Sequence, residues 1–133
     1  MQDEPRYDNV YDDVQRFWQQ RIDLCQAEGI ALDRIVLDPG FGFGKTFNHN
    51  IELFRKLHLL VSKSAEENLP LLVGVSNKRM ISELLGGKEI SQRLYGNIAA
   101  AVLAYQAGAR IIRCHDVMQT VDALKTAKGI LND

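Results

Sequence analysis

Residues 38–47 read "DPGFGFGKTF", with glycines at every second position followed by Gly-Lys-Thr. The run resembles a nucleotide-binding loop at first sight, and two spacing tests reject that. A Walker A loop, G-x-x-x-x-G-K-[ST], counted back from Gly44-Lys45-Thr46, puts Pro39 where its first glycine is required. Proline has no N–H to aim at a phosphate. The dinucleotide fingerprint G-x-G-x-x-G fails too, because Gly40, Gly42 and Gly44 are evenly spaced. What remains is Asp38, a proline-glycine turn, and a permissive loop carrying Phe41 and Phe43, with no role of its own for Gly-Lys-Thr. Two readings of Asp38 stand at this level. It is a turn residue, or it is a carboxylate on a pocket floor beneath a mobile aromatic loop. An ionised carboxylate accepts two parallel N–H bonds, which suits an amidine or guanidine-like edge.

Working outward, "RIVLD" at 34–38 predicts a short buried strand running into that loop. Before it, over 8–26, Val10, Val14, Phe17, Trp18, Ile22 and Cys25 recur at three- and four-residue steps, one face of an amphipathic helix closed by Gly29. After it, Asn50 is placed as the cap of a helix carrying Ile51, Leu53, Phe54, Leu57, Leu60 and Val61. "LLVGVS" at 71–76 predicts a second strand. Helices follow around Met80–Leu85, closed by Gly86-Gly87, and from Ile90 to Tyr105, closed by Gly108. "RIIRCHD" at 110–116 predicts a third strand, and 117–131 a last helix with Val117, Val121, Leu124 and Leu131 on one face. This alternation predicts an α/β fold with a parallel sheet. The polar residues fall at the C-terminal strand ends, where α/β folds bind ligands. Strand ends near 38, 76 and 113 recur at a pitch of about 37 residues, so a (β/α)₈ barrel of about 250 residues far exceeds this chain. A small open sheet and the last part of a barrel both fit. Three parallel strands with unpaired edges favour the latter or an obligate partner.

The chain has 133 residues, 46% hydrophobic and 25% charged, with a net charge of −1, and reads as one domain. No basic block supplies a nucleic-acid footprint, and no apolar run approaches the roughly 20 residues of a membrane span. The polar start "MQDEPRYDNV" is unlike a secretory signal. Cys25 and Cys114 are far apart and in no metal-ligand spacing, which fits a reduced, cytoplasmic protein.

Two further groups carry chemistry. "VSNKRM" puts Ser76, Asn77, Lys78 and Arg79 after the second strand. Asn77 and Arg79 read as a solvated loop, whereas Lys78 can hold a ligand carbonyl or anion. In "IIRCHD", Arg113 and His115 share strand parity and leave the same face. With the following helix N-terminus they make an anion site; alternatively, His115 is buried and satisfied by Asp116 or backbone. His49 and His58 read as surface or capping residues, Cys114 as packing, and the alanines of 99–104 as a tightly packed helix face.

Four motifs in order, "MQDEPRYDNV" (1–10), "VLDPGFGFGK" (36–45), "LLVGVSNK" (71–78) and "GNIAAAVLAYQAGARIIRCHDV" (96–117), resemble dihydropteroate synthase over nearly the whole chain. The resemblance implies a pterin-binding TIM (β/α)₈ barrel. Residues 1–133 would be its C-terminal part: the last three βα units, three parallel strands with flanking helices. It implies condensation of 6-hydroxymethyl-7,8-dihydropterin pyrophosphate with p-aminobenzoate to 7,8-dihydropteroate and pyrophosphate, in a homodimer. By position, Asp38 and Lys78 would bind the pterin, Phe43, Ser76 and Lys78 would line the p-aminobenzoate site, and Arg113 and His115 would hold pyrophosphate. Lys78, Arg113 and His115 would carry the catalysis. Mg²⁺ would assist, on a ligand in the barrel's first strand rather than in these residues. Two departures are visible: Ser-Asn-Lys at 76–78 replaces the family's Ser-Arg-Lys, and Met1 falls inside the family pattern. The segment alone is therefore expected to be inactive. Two alternatives are a non-catalytic pterin- or pyrophosphate-binding module and a related pterin-binding methyltransferase. The Arg113 and His115 pair weighs against the second, since methyl transfer has no pyrophosphate to hold.

Overall fold

The computed structural model describes residues 6–132; residues 1–5, half of the first motif, and Asp133 lie outside the described residues. Helix α1 (Val10–Ala27) starts where the Asn9 side chain accepts the Asp12 N–H, and the left-handed Gly29 (φ 84°) follows its last turn. Its buried stripe is Val10, Val14, Trp18 and Ile22, as the periodicity predicts, while Phe17 faces outward. Helices α2 (Phe47–Arg55) and α3 (Leu57–Glu66) divide at Lys56 what the sequence reads as one helix. Asn50 does not cap it. Thr46 does, in a reciprocal box with His49, four residues earlier. Asn50 is buried inside α2 instead, where its carboxamide accepts the Gly42 N–H at 3.0 Å and donates to the Thr46 carbonyl at 3.1 Å.

The strands are shorter than their apolar runs. β1 is Leu72–Val73, β2 is Ile111–Ile112, and the run at 34–38 is reduced to one parallel bridge, Leu37 to Leu71. A ladder extends only where a neighbour accepts it, and among the described residues Leu37 pairs on one side alone. Beyond Val73 and Ile112 the chain turns into site loops, although Arg113 N–H still reaches the Val73 carbonyl at 3.0 Å. The order is nonetheless sequential and parallel, an arc rather than a doubly wound sheet. Helix α4 (Arg79–Leu84) follows β1, α5 (Leu94–Ala107) ends at the left-handed Gly108, and α6 (Val117–Leu131) follows β2.

The register fixes two faces. Leu37, Leu71 and Val73 point into the core with Leu53, Leu57, Leu60, Ala100 and Ala104, so the helices cover this side. By alternation Val36, Leu72 and Ile111 form the other wall, and Val36 and Ile111 are exposed there. Helix α6 departs from expectation. Only Thr120 is fully buried, while Val117, Val121 and Leu131 of the predicted apolar face are exposed, together with Met118 and Ile130.

These environments predict a sharp contrast between neighbours. Leu60 is fully buried and Leu59 is 42% exposed. Leu60→Ala should cost about 2–5 kcal/mol and Leu59→Ala less than about 0.5 kcal/mol, read by urea unfolding. Gly108→Ala should also destabilise, because φ is 107° and its Cβ would lie 2.6 Å from Val61 Cγ1.

Candidate functional site

The loop 38–46 is tied to its surroundings by one apolar anchor and several hydrogen bonds. Phe41 is fully buried, 5.5 Å from the Phe54 ring, and anchors the loop to the core. Asp38 Oδ1 accepts the Gly40 N–H at 2.8 Å, and Trp18 Nε1 donates to the Asp38 carbonyl at 3.1 Å. Lys45 Nζ donates to the carbonyls of Gly40 (2.9 Å) and Phe43 (3.1 Å), and the Tyr7 hydroxyl to that of Gly44 (2.9 Å). The Gly-Lys-Thr of the opening motif thus has a structural role: Lys45 clips the loop and Thr46 caps α2. Glycine is needed at Gly42, where φ is 82° and a Cβ would stand 3.1 Å from Lys78 Cδ. Phe43, by contrast, is 59% exposed.

Asp38 is a turn residue, as the first of the two readings has it, and its carboxylate has a second oxygen free of that turn. One oxygen closes the turn, and the other, Oδ2, faces Arg113 Nη1 at 3.5 Å. The side chains are 36% and 55% exposed, so the pair itself adds at most about 1 kcal/mol; its importance lies in what it gathers. Asp38 and Arg113 stand on outer segments of the arc, with β1 between them. They meet because Gly74 in the middle has no side chain: a Cβ there would lie 2.7 Å from Arg113 Nη2. Arg113 therefore stands beside the carboxylate. A glycine inside an apolar strand marks such close approach, and that signal in "LLVGVS" was available in the sequence.

Lys78 completes the cluster. Its ammonium donates to the Phe41 carbonyl at 2.5 Å and lies 4.7 Å from the centre of the Phe43 ring. Burial holds its pKa below the ordinary lysine value, and the positive charges of Arg113 and Lys45 push the same way against the pull of Asp38. Lys45 is lowered by burial as well, with Asp38 opposing. His115 is exposed, not buried, and its Nδ1 shares a 2.9 Å hydrogen bond with Ser76 Oγ. Asp38 with Arg113, Lys78 with Phe43, and Ser76 with His115 are the pairs brought together, all at the C-terminal ends of the parallel segments.

Asn77 is not a solvated loop residue. It has φ 60°, and Lys78 N–H closes a turn onto the Val75 carbonyl at 3.1 Å. Positive φ at the third position alone is the pattern of a type II turn, which favours Gly or Asn there. Asn97 and Arg93 of the α5 start bind it, and sequence reading missed both because they lie 20 and 16 residues away. Arg79 is exposed, as expected, and pairs with Glu83 at 2.7 Å.

Residues 1–115 match the family described as "Pterin binding enzyme". Dihydropteroate synthase of Escherichia coli strain K12 is 45% identical over 132 residues, covering 99% of this chain and 45% of that protein. The enzyme of the same name from Neisseria meningitidis serogroup C is 50% identical over 130 residues, covering 98% and 45%. The chain thus spans about half the length of the curated relatives it matches. Among solved structures, dihydropteroate synthase from Xanthomonas albilineans in complex with 7,8-dihydropteroate superposes with a TM-score of 0.90 at 42% identity. That likeness covers 97% of this chain and 49% of the other. The arc of parallel segments is accordingly part of a TIM-like barrel, and the chain belongs to the pterin-binding enzyme family.

Proposed function

We propose that these residues form the pterin carboxylate, aryl-amine wall and pyrophosphate clamp of a dihydropteroate synthase. The observation that carries this is the convergence of Asp38, Lys78 and Arg113 at the C-terminal ends of adjacent parallel segments, on a chain whose relatives bear that name. Asp38 Oδ2 accepts from the N–H edge of the pterin ring, and the Lys78 ammonium donates to the pterin carbonyl. Phe43, lying against Lys78, and Ser76 border the p-aminobenzoate. Cleavage of the C–O bond releases pyrophosphate and leaves a stabilised cation at the pterin methylene; the amine nitrogen then bonds to that carbon and loses a proton. Arg113 and His115 hold the departing oxygens, where negative charge grows in the transition state.

Mg²⁺ would add charge neutralisation at the pyrophosphate. Among the described residues no three His, Cys, Asp or Glu side chains converge to hold a metal, so no step here runs through it. We place the reaction in the cytoplasm, in keeping with the unpaired Cys25 and Cys114. A homodimer is supported by the exposed apolar side chains of α6. The remaining half of the barrel is required for turnover, and the 133 residues alone should not condense p-aminobenzoate.

Asp38→Asn, introduced into a protein containing the whole barrel, should weaken 6-hydroxymethylpterin binding on the order of a hundredfold, since a donor replaces one acceptor of a charge-assisted pair. Near-normal affinity in calorimetry removes Asp38 from the pterin site. Gly74→Ala should leave the melting temperature nearly unchanged, because Arg113 is flexible enough to move, yet weaken pyrophosphate binding about tenfold. The lowered lysines give a pH signature. Both hold their protons less tightly folded than unfolded. The unfolded chain therefore binds more protons between the lowered values and 10.5, and stability rises with pH across that interval. Lys78→Met should flatten the rise in urea titrations.

A further inference from the structure

Asn97 sits on the first turn of α5, away from the substrate groups assigned above, and is nearly fully buried. A buried carboxamide must find partners for its donor and acceptor, and Asn97 finds both on one residue. Its Oδ1 accepts the Asn77 main-chain N–H at 2.9 Å, and its Nδ2 donates to Asn77 Oδ1 at 2.7 Å. Arg93, the cap residue of α5, donates to the Asn77 carbonyl at 2.6 Å. The main-chain N–H and carbonyl of Asn77 and its side-chain Oδ1 are thus all held by the start of one helix.

Asn77 is the residue between Ser76 and Lys78, and it adopts a left-handed φ of 60°. The turn it makes sends Ser76 to His115 and Lys78 to the Phe41 carbonyl and the Phe43 ring. A left-handed φ is uncommon outside glycine, though asparagine tolerates it better than most residues. An arginine here would meet the backbone demand less well, and although its main-chain N–H could still donate to Asn97 Oδ1, its side chain has no acceptor for Asn97 Nδ2.

We infer that Asn97 is a positioning residue for Lys78, acting through the Asn77 turn, and that Asn77 and Asn97 work as a pair. The placement of Lys78 is argued from geometry alone; its consequence for ligand affinity rests on the pterin reading above.

The test is spectroscopic. Lysines are ¹³C-methylated reductively in the full chain, and the Lys78 signal is identified by its loss in Lys78→Arg. In the wild type that signal should be displaced by the Phe43 ring current. In Asn97→Leu it should move toward the position of the exposed lysines while the signal of Lys56 stays. Asn77→Gly should move it less, and the double variant no further than Asn97→Leu alone, because one contact carries both effects. Asn97→Ala carries the same expectation as Asn97→Leu and decides the matter if the leucine variant does not fold. A Lys78 signal unmoved in a folded Asn97 variant overturns the proposal, as do additive shifts in the double variant. In the whole-barrel protein, with 6-hydroxymethylpterin as the probe, Asn97→Leu should weaken binding about tenfold. Full affinity in a variant whose Lys78 has moved overturns the positioning role. A wild type that does not bind the probe overturns the proposed function and leaves the spectroscopic result standing.

Discussion

Successive side chains of a strand leave opposite faces, and in a parallel ladder the register decides which residues of neighbouring segments share a face. Here the pairings of Leu37 with Leu71 and of Leu72 with Ile111 set that register. Once they are made, Asp38, Gly74 and Arg113 fall on the same face, one behind another across the arc. The core face takes Leu37, Leu71 and Val73 by the same rule. A slip of one residue would turn Asp38 or Arg113 toward the core and put Leu37, Leu71 or Ile112 on the open wall. The hydrophobic packing beneath the sheet and the charge cluster above it are therefore two outcomes of one alignment.

Around that alignment the loops are held by polar contacts rather than by regular structure. Asn50 and Lys45 supply the hydrogen bonds that the glycine-rich segment cannot make with itself, and Phe41 supplies the apolar anchor. Phe43, two residues on, remains outside with a lysine against its ring. The loop divides its two phenylalanines between stability and ligand contact. The order of the loop also limits the solvent around Lys78, which is the physical source of its weakened proton affinity.

Much of this was legible in the sequence where the signal was local. The α1 stripe, the closing glycines at 29 and 108, and the polar residues at strand ends all follow from spacing and turn chemistry. The failures have local causes too. Asn50 is a good cap residue by type, but Thr46 stood four residues ahead with His49 placed to complete the box. Asn77 looked like a solvated loop because its partners, Arg93 and Asn97, belong to the next helix but one, and no short-range pattern announces them. The strands were overestimated because apolar runs mark burial, whereas ladder length depends on what lies alongside. Helix α6 was given a buried face that its periodicity shows and its neighbours do not cover.

The open wall of the arc has a consequence for how substitutions are read. In a closed barrel, inward side chains stack in layers drawn from alternate strands. Val36, Leu72 and Ile111 have the shapes for such layers, but Val36 and Ile111 are exposed among the described residues. Exchanging either for another residue of similar strand preference should leave the stability of this arc nearly unchanged. The same exchange would be felt by the wall that closes against it. At these positions the effect of a mutation belongs to the assembled layer, and measurements on the arc alone would score it as neutral.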